Sequence, residues 1–135
     1  MTPEELLDRI VAIFPGFRDA WESPRNNHRD DDGSFTLHGA FSEFTHYFEQ
    51  HHASLSSEHV AEFAAFINTC MESNDELLDN AAATCFVEII AGEDYARAIA
   101  PHLKGHALQY FERWGGVPIE VVALREFLRQ RHPKR

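Results

Sequence analysis

The chain has 135 residues, which is enough for one domain with a buried core. Hydrophobic residues make up 44% and charged residues 25%, a balance typical of globular proteins that argues against a disordered chain. The formal charge of −10 argues against binding to nucleic acid phosphates and suits a basic protein partner.

The charge is uneven along the chain. Arg125–Arg135 holds five basic side chains against Glu126 alone, so this C-terminal end carries +4 and residues 1–124 carry −14. No apolar run approaches the ~20 residues of a membrane span, and no N-terminal signal pattern is present. Cys70 and Cys85 lie in apolar helical patterns, which indicates buried, reduced thiols. We therefore expect a cytoplasmic protein without a membrane segment.

The N-terminal half predicts four helices. Thr2 as N-cap, Pro3 at the first helical position and Glu5 completing a capping box start the first helix, which ends at Pro15-Gly16. The other three helices are predicted at Phe17–Glu22, Thr36–His52 and Ser57–Glu72.

Residues 23–34 are predicted to form a polar loop with three consecutive aspartates: Asp30, Asp31 and Asp32. The run up to Gly33 invites comparison with a calcium-binding loop. With Gly33 at the sixth position of such a loop, His28 and Gly39 would occupy its first and last ligand positions, where carboxylates are required. The loop is therefore interpreted as an acidic surface, and its aspartates are candidate contacts for a basic partner.

The stretch Asp75–Ala91 predicts the central and most buried helix. Asp75 is a suitable N-cap, and Gly92 suits the helix end. At about 100° per residue, apolar side chains cover more than half of this helix, which indicates neighbours on two or three sides. The side chains assigned to the buried face are Leu78, Ala81, Ala82, Cys85, Phe86, Ile89 and Ile90.

A polar edge remains on this helix, with a polar residue at every fourth position: Glu76, Asn80, Thr84 and Glu88. A solvated edge is the simplest interpretation. Glu88, however, lies between apolar positions near the helix C-terminus, where a carboxylate opposes the helix dipole. The alternative is a partly buried row that meets a ligand or a basic neighbour, which makes Asn80, Thr84 and Glu88 candidate binding residues.

Further helices are predicted at Glu93–Ala100, at Gly105–Trp114 and from Pro118 onward. The sequence has no strand alternation and no internal repeat at a fixed period. Short connections between helices favour antiparallel neighbours. The predicted fold is a single all-α domain over residues 1–135, an irregular antiparallel bundle of about six to seven helices around the central one.

Two Glu-x-x-His motifs, Glu43/His46 and Glu49/His52, place a carboxylate and an imidazole on one helical face, as in di-iron bundles. Both lie on the same helix, so their faces differ by about 120°. The second motif-bearing helix of a di-iron site is missing. A helical metal-binding protein or metalloenzyme that uses these residues is therefore an alternative hypothesis, whereas a solvated His/Glu face requires no cofactor.

The sequence contains no Gly-rich phosphate loop, no Gly-x-Ser-x-Gly and no His-Glu-x-x-His, so an enzyme is not favoured. Tyr47 and Tyr110 fall beside the main apolar faces of their helices. Because tyrosine often anchors interfaces, both are candidate contacts for a basic partner.

The run Leu78–Glu88 and the later Pro101-His102-Leu103 with Tyr110–Trp114 resemble motifs of a family of small, uncharacterised bacterial helical proteins, a domain of unknown function. The resemblance covers the C-terminal half. Small acidic proteins of this kind are often neighbours of secreted toxins, so the resemblance implies an immunity or interaction role. The polar residues Asn80, Thr84 and Glu88 match positions of the family motif, and the resemblance implies no catalytic role for them.

These features favour a non-enzymatic, cytosolic protein-binding protein of the toxin-neutralising type. It is expected to bind a basic partner through acidic side chains around aromatic anchors. A metal-binding protein and a structural homodimer are the alternatives.

Overall fold

The computed structural model describes residues 1–116. Its α-helices are α1 (Pro3–Ile13), α2 (Phe17–Glu22), α3 (Leu37–His51), α4 (Ser57–Glu72), α5 (Glu76–Ala82), α6 (Glu88–Ile90) and α7 (Gly105–Arg113). A π-helical turn, Ala83–Val87, joins α5 to α6, and 3₁₀ segments lie at His52–Ser54, Asp94–Ala98 and Ala100–His102. The helix expected from Pro118 and the basic end 125–135 lie outside the described residues.

Local capping signals set the helix starts. The Thr2 hydroxyl accepts from the Glu5 N–H at 3.1 Å and the Glu5 carboxylate accepts from the Thr2 N–H at 2.9 Å, so the predicted capping box is confirmed. Side-chain oxygens of Thr36, Ser56 and Asp75 each accept from the backbone N–H three residues later and so cap α3, α4 and α5. The first five helices begin within a residue or so of the predicted positions, although α2 has no side-chain cap.

The prediction of an α-helix at Glu93–Ala100 is wrong. The chain forms two short 3₁₀ segments there, and Pro101 lies inside the second one. Proline lacks an N–H and cannot extend an α-helical ladder, whereas short 3₁₀ turns serve as connectors.

The central helix is present, but it is not regular. The Glu88 N–H donates to the carbonyl of Ala83, five residues earlier instead of four. This extra residue rotates the following side chains by about 100° relative to a regular α-helix. Val87 is consequently fully buried, whereas Ile89 is 52% exposed. The assignment of Ile89 to the buried face is therefore wrong.

The hydroxyl of Thr45 on α3 is bonded to the π-turn. Its Oγ1 lies 2.8 Å from the Phe41 carbonyl of its own helix and 2.6 Å from the Cys85 carbonyl, so the single proton is shared between them.

The Cys85 thiol is only partly buried, contrary to the prediction. Cys70 is buried as expected, and burial raises the pKa of its thiol to about 12.

A cluster of phenylalanine rings fills the core. The Phe44 ring on α3 has its centroid 4.4 Å from that of Phe63 on α4, 5.4 Å from Phe14 after α1 and 6.1 Å from Phe86 in the π-turn. All four rings are at most 3% exposed. This cluster joins α1, α3, α4 and the π-turn in one core.

The helices pack around the central one. α3 packs against α5 and the π-turn, α4 against α5 and α7, and α7 also against the π-turn. Within residues 1–116, β pairing is limited to an isolated bridge between Arg29 and Phe35, so the predicted all-α fold around a central helix is confirmed. None of the helices in this part of the chain has the length and apolar character needed to cross a membrane.

Candidate functional site

An open cleft of about 430 Å³ lies between α5 and α7. Ligand-binding clefts typically measure about 300–1,000 Å³, so this one is large enough for a ligand or a side chain of a partner. One wall belongs to α5 and consists of Glu76, Asp79 and Asn80. The opposite wall belongs to α7 and includes Gln109, Tyr110 and Arg113.

A hydrogen bond joins the two elements beside this cleft. The Tyr110 hydroxyl donates to Glu88 Oε1 at 2.8 Å. Burial, followed by the contact with Glu88, raises the pKa of Tyr110 above its ordinary value of 10.0. The phenol therefore keeps its proton at neutral pH. Two residues predicted from the sequence as binding candidates are thus brought into direct contact.

The other two binding candidates of the predicted polar edge, Asn80 and Thr84, form separate hydrogen bonds. The Asn80 amide Nδ2 lies 3.0 Å from His38 Nε2 on α3. With the amide as donor, His38 Nε2 is the acceptor and the imidazole proton is on Nδ1. Thr84 donates to the Asn80 carbonyl of its own helix at 2.8 Å. Asn80, Thr84 and Glu88 therefore have different hydrogen-bond partners, and the π-turn lies between Asn80 and Glu88.

The start of α7 is held by Glu72 of α4. Glu72 Oε1 accepts from the His106 N–H at 3.0 Å, and Oε2 lies 3.6 Å from His106 Nδ1. A carboxylate at this position stabilises the positive end of the helix. Gly105 has a φ of +56°, and a Cβ there would collide with Glu72 Oε1. Glycine at this position lets Glu72 approach closely and so fixes one wall of the cleft.

Large apolar side chains are exposed on the same elements. Leu77 of α5 is 62% exposed, Ile89 of α6 is 52% exposed and Trp114 after α7 is 50% exposed. The Trp114 ring centroid lies 6.2 Å from that of Tyr110. Exposed apolar side chains on adjacent elements are typical of contact surfaces. Ile89 lines a different depression, together with His46 and Glu49. We call the cleft together with Leu77 and Trp114 the α5–α7 surface.

Tyr47 does not belong to this surface. Its ring is half-buried, with its centroid 5.5 Å from that of Phe17 and 4.4 Å from that of His51. Burial raises the pKa of its phenol. Tyr47 therefore packs against the core near α2 and is less available as an anchor than the sequence pattern indicated.

The three aspartates lie in the loop before α3, beside a separate depression. The Ser34 hydroxyl lies 2.6 Å from Asp32 Oδ1 and 3.1 Å from Asp30 Oδ2. This hydroxyl is the main cause of a lowered pKa of Asp32. Asp30 and Asp32 thus take part in the local turn, and Asp31 is exposed.

The four Glu/His candidates for metal binding do not converge. Glu43 lies 4.0 Å from His28 Nε2, and His52 Nδ1 lies 2.9 Å from the backbone carbonyl of Glu49. The His46 and Glu49 side chains line a second depression. Among residues 1–116, no group of three or more His, Cys, Asp or Glu side chains is arranged to hold a metal ion. The described geometry gives the metal hypothesis no support.

Sequence reasoning missed Asp79, Gln109 and Arg113 as parts of the cleft. In the helical pattern of α5 or α7 alone, each of them is an ordinary polar position. No periodic or motif signal distinguishes them, because the cleft exists only after α5 and α7 have both packed against α4 and the π-turn.

The chain was compared with protein families, curated proteins and solved structures. Neither the curated proteins nor the solved structures contain a match to the chain. A family model described as a domain of unknown function (DUF7674) matches residues 7–115. The resemblance to an uncharacterised family is therefore confirmed, and it extends beyond the C-terminal half to a start within α1. The chain belongs to the DUF7674 family, a domain of unknown function.

Proposed function

We propose that this protein is a non-enzymatic protein-binding protein of the toxin-neutralising type, and that it binds a basic partner through the α5–α7 surface. The observation that carries the proposal is the presence, on adjacent elements, of an open cleft and of exposed Leu77 and Trp114. Protein interfaces combine such apolar contacts with a polar rim, and aromatic residues contribute much of their binding energy.

The net charge supports a basic partner. Residues 1–116 contain 20 acidic and 7 basic side chains, which leaves −13 on the described part of the chain. A surface of one sign accelerates encounter with a partner of the opposite sign and repels others. Glu76 and Asp79 bring this negative charge into the cleft itself. Neutralisation of a toxin requires only that its basic surface be covered, so an acidic surface with rigid aromatic contacts suffices.

Affinity capture tests the proposal. The tagged protein is used to capture proteins from the cells that produce it, at low and at high salt. Trp114→Ala removes an aromatic contact of the α5–α7 surface, and Asp8→Asn is the control because Asp8 is an exposed carboxylate of α1 that does not line the cleft. We expect the wild type and Asp8→Asn to retain a basic protein at low salt, and Trp114→Ala to retain much less. High salt should release it, because the screening length falls from about 30 Å at 0.01 M to about 3 Å at 1 M.

Capture of no protein, or capture that neither salt nor Trp114→Ala weakens, contradicts the proposal. Light scattering distinguishes a third possible result, in which the partner is a second copy of the chain. If a second copy of the chain covers Trp114, the wild type has twice the monomer mass and Trp114→Ala returns to the monomer, which would favour the homodimer instead.

A further inference from the structure

Opposite charges face each other across the α5–α7 cleft without pairing. The Glu76 and Asp79 carboxylates lie on the α5 wall, and the Arg113 guanidinium lies on the α7 wall with the Gln109 amide. Among the ion pairs of residues 1–116, none joins either carboxylate to Arg113. Both walls therefore keep hydrogen-bonding groups that can meet a ligand.

The two walls differ in chemical character. Carboxylates only accept hydrogen bonds, so the α5 wall suits a cation. Guanidinium donates, and an amide NH₂ donates as well, so the α7 wall suits a carbonyl or carboxylate oxygen. The complementary ligand carries a cationic group and an oxygen acceptor close together. An arginine or lysine residue within a peptide has this arrangement.

We infer that the cleft holds one arginine or lysine residue of the basic partner, with its cationic group at Glu76 and Asp79 and its backbone carbonyl at Arg113 and Gln109. This inference rests on the proposed function and names the part of the partner that the surface recognises. Arginine fits best, because its planar guanidinium forms paired hydrogen bonds with a carboxylate and also stacks on aromatic rings.

The aromatic side chains beside the cleft favour the same ligand. Tyr110 lines the cleft, and its hydroxyl is tied to Glu88 at 2.8 Å, which restrains the ring. Trp114 stands next to it and is half exposed. A cation over such a ring gains electrostatic attraction, about 0.5–1 kcal/mol at exposed sites. A fixed ring costs less side-chain entropy on binding than a free one.

NMR titration with blocked amino acids tests this inference. The probes are acetyl-arginine amide, its neutral analogue acetyl-citrulline amide and free L-arginine, and the readout is the amide shifts of Asn80 and Tyr110. We expect saturable shifts with acetyl-arginine amide and none with the citrulline probe. Asp79→Asn should weaken binding about tenfold, the loss expected for a charge-assisted hydrogen bond. Asp8→Asn removes the same charge from an exposed position of α1 outside the cleft and should leave affinity unchanged.

Three results overturn the inference: equal binding of the citrulline probe, equal affinity in Asp79→Asn, or binding of free L-arginine without the blocked form. The last of these would indicate a free amino acid as the ligand. Glu76→Gln serves as a second variant if Asp79→Asn fails to fold. If capture of the partner is lost in Trp114→Ala but kept in Glu76→Gln and Asp79→Asn, the proposed function stands and the inference fails.

Discussion

At the scale of single residues, the hydrogen bond between Tyr110 and Glu88 links the central helix to α7. The raised pKa of Tyr110 means that the folded state favours the protonated phenol. The corresponding contribution to stability is complete below the ordinary pKa of 10.0 and is lost as the pH rises through the folded-state pKa. This contact therefore stabilises the fold throughout the physiological pH range and weakens only in strong alkali.

Glu88→Gln should lower the pKa of Tyr110 part of the way to its ordinary value. The substitution removes the negative charge that disfavours the phenolate, while burial, the larger cause, remains. Tyrosinate absorbance measures this pKa in a Tyr47→Phe/Tyr95→Phe background, because the chain contains 3 tyrosines. Glu112→Gln is the control, since it neutralises an exposed carboxylate of α7. An unchanged pKa in Glu88→Gln, or an equal decrease in Glu112→Gln, would contradict the assignment.

At the scale of secondary structure, the π-turn Ala83–Val87 determines which side chains of the central helix meet their neighbours. It turns Glu88 toward Tyr110 and exposes Ile89. π-turns are rare and frequently lie near functional sites. The buried hydroxyl of Thr45 contacts the Cys85 carbonyl within this turn at 2.6 Å, so α3 helps to hold the irregular backbone.

Thr45→Val should destabilise the protein by about 1–3 kcal/mol, because the Cys85 carbonyl loses the part-buried hydrogen bond from the Thr45 hydroxyl. Denaturant unfolding measures the change. Thr69→Val is a matched control: its hydroxyl bonds the Ala65 carbonyl of its own helix at 3.0 Å and is exposed, so the expected change is within about 0.5 kcal/mol. If the turn relaxes to a regular helix, the pKa of Tyr110 falls as well. Equal stability of the two variants would show that Thr45 does not hold the π-turn.

At the scale of the whole molecule, buried and exposed aromatic residues have separate roles. Phe44 is fully buried in contact with rings from several helices, whereas Trp114 is half exposed beside the cleft. The first type of residue is needed for folding, and the second is available for a partner. This separation is what allows Trp114→Ala to report on binding alone.

Phe44→Ala should cost about 3–5 kcal/mol, since it removes the ring at the centre of the core and leaves a cavity. Trp114→Ala should change stability by no more than about 0.5 kcal/mol, because its ring is largely outside the core. Thermal unfolding of both variants provides the comparison. A large loss of stability in Trp114→Ala would assign that side chain to the fold instead of to the α5–α7 surface.

Much of the fold could be predicted from the sequence, but only part of the candidate site. The capping box at Thr2 and the cap at Asp75 are local interactions, so their positions were predicted correctly. Tyr110 and Glu88 were both singled out, but their contact was not. Ile89 was misassigned because a regular period of about 3.6 residues cannot anticipate a π-turn.

The sequence by itself determined the all-α class, most helix boundaries and the acidic character of the protein. These properties depend on side chains within a few residues of one another or on simple composition. Only the tertiary structure decided which polar residues share the α5–α7 cleft and which bond to α3. That choice depends on contacts between distant segments and on the π-turn, which redirects Glu88 to Tyr110 across 22 positions of the chain.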